Sequence, residues 1–65
     1  MDKTRIAERL RELRGDKSQR EVADAVGTTA MAISLYESGE RIPKDEIKIR
    51  LARYYDTTVD ALFYA

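Results

Sequence analysis

The chemistry open to this chain is narrow. Its 65 residues include neither cysteine nor histidine, so disulfides, thiolate nucleophiles and Cys/His metal sites are excluded. Carboxylates, lysines and hydroxyls remain. No carboxylate pair stands apart from the charged helix faces, and a chain this short is expected to enclose no pocket of useful depth. No enzyme activity, cofactor, metal or small-molecule ligand is therefore expected. One run does stand out, from Thr29 to Ser38. Thr29 and Ser34 carry hydroxyls, Ala30 a methyl, Met31 a thioether and Leu35 a branched apolar group, and no lysine or arginine interrupts them. Such a set makes hydrogen bonds and apolar contacts with a partner; it does not break bonds.

Size and charge limit the scaffold that can carry this run. One domain over residues 1–65 is expected. A single core of this size needs help, which well-packed helices or a second copy could supply, so a homodimer is the first expectation. The chain starts at Met1 without a tag or linker and reads as a complete small protein. It lacks a stretch of about 18 apolar residues, so no membrane span is expected. Its charged start, Met1-Asp2-Lys3-Thr4-Arg5, is unlike a signal region, and with the missing cysteines it suggests a cytoplasmic protein. Net charge is zero, with 12 basic and 12 acidic residues. That figure conceals segregation, because residues 21–40 hold four acids and no base, whereas residues 1–20 hold seven bases and four acids. The segregation is equally compatible with solvated helix faces and with a polyanionic partner met by the flanks.

Helical period dominates. Ile6, Leu10 and Leu13 stand at i, i+4 and i+7 and predict a first helix with all three inward, ended by Gly15. Ser18 and Glu21 have capping-box spacing and open a second helix with Val22, Ala23 and Val26 inside. After Gly27, Thr29 is the expected N-cap of a third helix, with Ile33 and Tyr36 inward and an end near Ser38-Gly39. Beyond Pro43, Asp45 and Glu46 complement the dipole of a fourth helix, whose inner stripe is Ile47, Leu51, Tyr54 and Tyr55. Thr58 caps a short fifth helix holding Val59, Leu62 and Phe63. No segment alternates at the period of a strand. The fold class is all-α.

The stretch from Gln19 to Tyr36 is two short rods joined by a glycine turn. Ala23 lets them cross closely, and Gly27 admits a left-handed backbone. The outer face of the second rod then carries Ala30, Met31, Ser34 and Leu35. With these features in place the chain resembles the Cro/phage-repressor (XRE-type) helix-turn-helix family over nearly its whole length, Ile6 to Phe63. The resemblance rests on five elements in order: SQ-x-x-[LV]-A at Ser18–Ala23, VG at Val26-Gly27, I-S-x-Y-E-x-G-x-R-x-P at Ile33–Pro43, I-x-x-x-L-A at Ile47–Ala52 and V-D-x-L at Val59–Leu62.

The resemblance implies a compact five-helix, lambda-repressor-like domain that binds double-stranded operator DNA as a dimer. Its third helix would lie in the major groove, with the two copies about one DNA turn, ~34 Å, apart. Base edges would meet Thr29, Ala30, Met31, Ser34 and Leu35. Phosphates would meet Gln19, Ser38, Arg41 and Lys44. Glu37 would be the family's buried glutamate, paired with Arg14, for which Arg9 or Arg11 could substitute. Phe63 and Tyr64, poorly suited to water, are the expected dimer interface. Two departures matter. Many relatives carry arginine, lysine or glutamine where Ala30 and Met31 stand, so bidentate reading of purines is unavailable there and apolar contact with thymine methyls is expected instead. Asp56 replaces a glycine or asparagine in the last turn, where aspartate tolerates left-handed backbone. A rival reading, motivated by the acidic middle and uncharged third helix, is a protein-interaction module such as an antitoxin or antirepressor-like partner.

Overall fold

A computed structural model describes all residues, Met1–Ala65. It contains five helices and no strand: α1 (Lys3–Arg14), α2 (Gln19–Val26), α3 (Ala30–Glu37), α4 (Asp45–Tyr54) and the terminal turn α5 (Asp60–Tyr64). No helix is long and apolar enough to cross a membrane.

Short polar side chains start every helix but α4, whose N-cap Lys44 makes no side-chain cap bond. Asp2 accepts from the amides of Thr4 and Arg5. Ser18 and Glu21 exchange both bonds of a capping box. Thr29 Oγ1 accepts from the Ala32 amide at 3.1 Å, and Thr58 Oγ1 from the Ala61 amide at 3.0 Å. Each bond satisfies an amide that helical geometry leaves without a partner.

Three helices end by the same device. After α2, α3 and α4 a single residue turns left-handed: Gly27 at φ 77°, Gly39 at φ 79° and Asp56 at φ 55°. The amide of the following residue then reaches back into the helix, Thr28 to Ala23, Glu40 to Leu35 and Thr57 to Ala52. After α3 and α4 the left-handed residue itself serves a second late carbonyl, Gly39 that of Tyr36 and Asp56 that of Arg53, whereas after α2 Gly27 and Thr28 both donate to Ala23. Asp56 is the one non-glycine at positive φ in the chain.

Ile6, Leu10, Val22, Ala23, Val26, Ile33, Tyr36, Leu51, Leu62 and Phe63 form one core. Two expectations change here. Leu13 is 41% exposed; it keeps the phase of Ile6 and Leu10, but it walls an open groove beside Thr57, Ala61 and Leu62 that no helix fills. Phe63, expected at a dimer surface, is 2% exposed and belongs to the core. So small a core needs its one phenylalanine, and α5, a single turn of wider π pitch, brings both Leu62 and Phe63 inward. Tyr64 remains exposed.

One buried cation was not signalled as such. Lys48 is 5% exposed. It shares a helical face with Leu51, Ala52 and Tyr55, a spacing that could have revealed it. Its ammonium donates to the Tyr64 hydroxyl at 2.9 Å and lies 5.8 Å from the centre of the Phe63 ring, so a charge closes the base of the core against aromatic faces.

Candidate nucleic-acid interface

The two faces of α3 divide cleanly. Ala32, Ile33, Tyr36 and Glu37 are buried. On the other side Met31 is 74% exposed, Thr29 and Ser34 are exposed, and Ala30 and Leu35 are half-buried. All five residues expected to meet base edges therefore fall on one strip of a helix about 12 Å long. The strip carries no charge. Gly27 sets its direction by turning the chain sharply out of α2. There a Cβ would also come within 2.8 Å of Arg50 Nη1, because Arg50 lies across the end of α2.

The C-terminal end of α3 is fixed by charge. Glu37, 4% exposed, receives Arg14 Nε on both carboxylate oxygens, at 3.0 and 2.8 Å, and Gln19 Nε2 on one, at 3.1 Å. Arg11 donates to the main-chain carbonyl of Glu37. Arg14 also donates through Nη1 to the Lys17 carbonyl at 2.7 Å. Thus α1 and the first residue of α2 hold the last residue of α3 through several charge-assisted hydrogen bonds. The hydrogen bond to Glu37 pushes the Arg14 pKa above its ordinary value. Burial pushes the neighbouring Tyr55 hydroxyl up to about 12, with the Glu37 charge adding to the effect. The arginines of α1 have separate tasks. Arg14 takes the carboxylate, Arg11 takes the carbonyl, and Arg9 donates to the carbonyls of Leu62 and Ala65.

Basic and polar groups flank both ends of the strip. Arg41 and Lys44 are exposed, and their side chains enter no ion pair or hydrogen bond. With Thr28, Thr29, Ala32 and Ile42 they border a shallow groove of about 420 Å³ beside the start of α3. Gln19 and Ser38 lie at the opposite end. Gln19 is half-buried and committed through one amide hydrogen to Glu37, leaving its other amide hydrogen unassigned. Ser38 is exposed, and its hydroxyl is directed at Glu40 and at the Leu35 carbonyl. Sequence reasoning missed that engagement, since it depends on how the chain leaves Gly39.

Much of the acidity of residues 21–40 is consumed within the chain. Glu21 serves the capping box, Asp24 lies 3.8 Å from Arg20, and Glu37 is buried against Arg14. Of these four acids, Glu40 alone is neither ion-paired nor part of a helix cap.

Searches among curated proteins and among solved structures returned no match to this chain. A family model described as helix-turn-helix matches residues 8–62, which takes in most of α1, all of α2, α3 and α4, and the start of α5. With the crossed pair α2–α3, the glycine turn and the Arg14–Glu37 contact, this match identifies the chain as a member of the Cro/XRE-type helix-turn-helix family of DNA-binding regulators.

Proposed function

We propose that this protein is a sequence-specific transcriptional repressor that binds a near-palindromic double-stranded DNA operator as a homodimer, with α3 in the major groove. The observation that carries this reading is the uncharged, exposed strip of α3, fixed at one end by the Glu37 network and bordered at the other by uncommitted Arg41 and Lys44. Thr29 and Ser34 would hydrogen-bond to base edges. Ala30, Met31 and Leu35 would pack against thymine methyls, which favours T/A-rich half-sites, with DNA shape supplying further selectivity. Gln19, Ser38, Arg41 and Lys44 would take phosphates and fix the register. Dimerisation would use a surface that includes Tyr64, 54% exposed, and leave Phe63 in the core.

A protein-interaction role, motivated by the acidic segment and the uncharged α3, has less to support it, because Glu37 of that segment is buried against Arg14 and Glu21 closes the cap of α2. The direct test is binding to duplex DNA as salt is raised about fourfold. Phosphate contacts predict a steep linear fall of log affinity with log salt. Lys44→Ala should weaken all sequences alike, and Met31→Ala should change which base pairs are preferred. Affinity that ignores salt, or stoichiometric recovery of a protein partner with no DNA bound, would overturn the proposal.

A further inference from the structure

The end of α3 places a carboxylate beside a hydroxyl expected to meet DNA. Ser38 Oγ lies 2.7 Å from Glu40 Oε2 and 3.1 Å from the Leu35 carbonyl oxygen. A serine hydroxyl has one hydrogen to give. In this arrangement that hydrogen is committed to the protein, and the stronger acceptor is the charged one. Glu40 makes no ion pair, although Arg41 follows it directly in the chain, and Ser38 is its sole side-chain partner. Its backbone position is well defined, because the Glu40 amide donates to the Leu35 carbonyl at 3.0 Å in the closure around Gly39. The short link Ser38-Gly39-Glu40 therefore presents an anion at the Ser38 end of the strip.

We propose that Glu40 is a brake on DNA-backbone binding: it occupies the Ser38 hydroxyl and sets a negative charge where a phosphate would approach. This inference rests on the DNA-binding reading and deepens it, by assigning a positioning residue that acts through Ser38. Phosphate and carboxylate compete for one hydroxyl hydrogen, and like charges a few ångströms apart repel. Docking at this end thus requires Glu40 to swing away, at a cost independent of base sequence. The device tunes how tightly the chain holds any DNA without altering which bases α3 selects.

The test compares Glu40→Gln and Glu40→Ala with the parent chain, using one duplex obtained by selection and one random duplex, each titrated over a range of salt. Glu40→Gln removes the charge but keeps a carbonyl that can accept from Ser38; Glu40→Ala removes both. Both variants should bind the two duplexes more tightly by similar factors, about three- to tenfold at low salt, the scale of one surface charge acting over several ångströms. The salt slope should steepen by up to about 0.9. Glu40→Ala should gain more than Glu40→Gln, and that difference should vanish in a Ser38→Ala background. Glu8→Gln removes the same charge from an exposed, unpaired position on α1 and should leave affinity within about twofold.

Equal gains from Glu8→Gln and Glu40→Gln would reduce the effect to net charge and overturn the proposal. Unchanged affinity in both Glu40 variants would do the same, as would a persisting difference between them without Ser38. Failure of the parent chain to bind either duplex would bring down the DNA-binding reading as well, a result distinct from normal parent binding with inert Glu40 variants. Because Glu40 is exposed, thermal unfolding of the variants should match the parent and exclude misfolding as the cause.

Discussion

The two ends of α3 are built on opposite plans. At its C-terminal end a buried carboxylate is gripped by Arg14 and Gln19, and the adjoining carbonyl by Arg11. At its N-terminal end one hydroxyl, Thr29, caps the helix, and Met31 projects into solvent. Buried charge-assisted hydrogen bonds lie where nothing has to be read. Apolar and hydroxyl groups are left open where reading would take place. A short helix exposing such a face gains little from burying it, so its direction has to be fixed elsewhere.

The sharpest way to break this contrast is to cut the fixed end. Arg14→Ala leaves Glu37 buried with only the Gln19 amide, and should cost about 3 kcal/mol in urea or thermal unfolding, enough to unfold much of so small a domain. A loss below about 1 kcal/mol would mean that the pair is ornamental. The capped end should be less sensitive: Thr29→Ala removes one accepted bond and should cost about 1 kcal/mol by the same measurement.

Alkali offers a gentler probe of the fixed end. Tyr55 has its pKa raised to about 12 in the folded chain, chiefly by burial and then by the charge of Glu37, against about 10 when unfolded. Below pH 10 the phenol is protonated in both states and its contribution to stability is complete. Between pH 10 and 12 the unfolded chain ionises first, so stability falls as pH rises. Tyr55→Phe should flatten that part of the stability–pH curve. An unaltered slope would show that folding does not raise the Tyr55 pKa. The smallest effect on stability belongs to the open end: Met31→Ala should shift unfolding by less than about 0.5 kcal/mol, since the side chain is 74% exposed, while changing base preference.

What the sequence discloses follows the range of the forces concerned. Caps at Ser18, Thr29 and Thr58, and the left-handed closures at Gly27, Gly39 and Asp56, depend on bonds spanning a few residues, and the residue types proclaim them. Helical period likewise separates the two faces of α3. Leu13, Lys48 and Phe63 are different. Each lies in phase with an inner stripe or near a chain end, and its burial depends on which neighbouring helix covers it. Period alone does not encode that. The π pitch of α5 escapes for the same reason, since it serves the docking of Leu62 and Phe63. At the candidate site, Arg14 and Glu37 follow from the family resemblance, whereas the hold of Arg11 on the Glu37 carbonyl and of Glu40 on Ser38 depends on how α1 lies against α3 and how the chain leaves Gly39.

The central claim, that the uncharged strip of α3 reads DNA, is tested most directly by in vitro selection from a pool of random duplexes. The account predicts enrichment of two T/A-rich half-sites in inverted orientation, centred about one helical turn apart, with a preference that changes in Met31→Ala. A pool that yields no motif, or a motif indifferent to Met31, would contradict it.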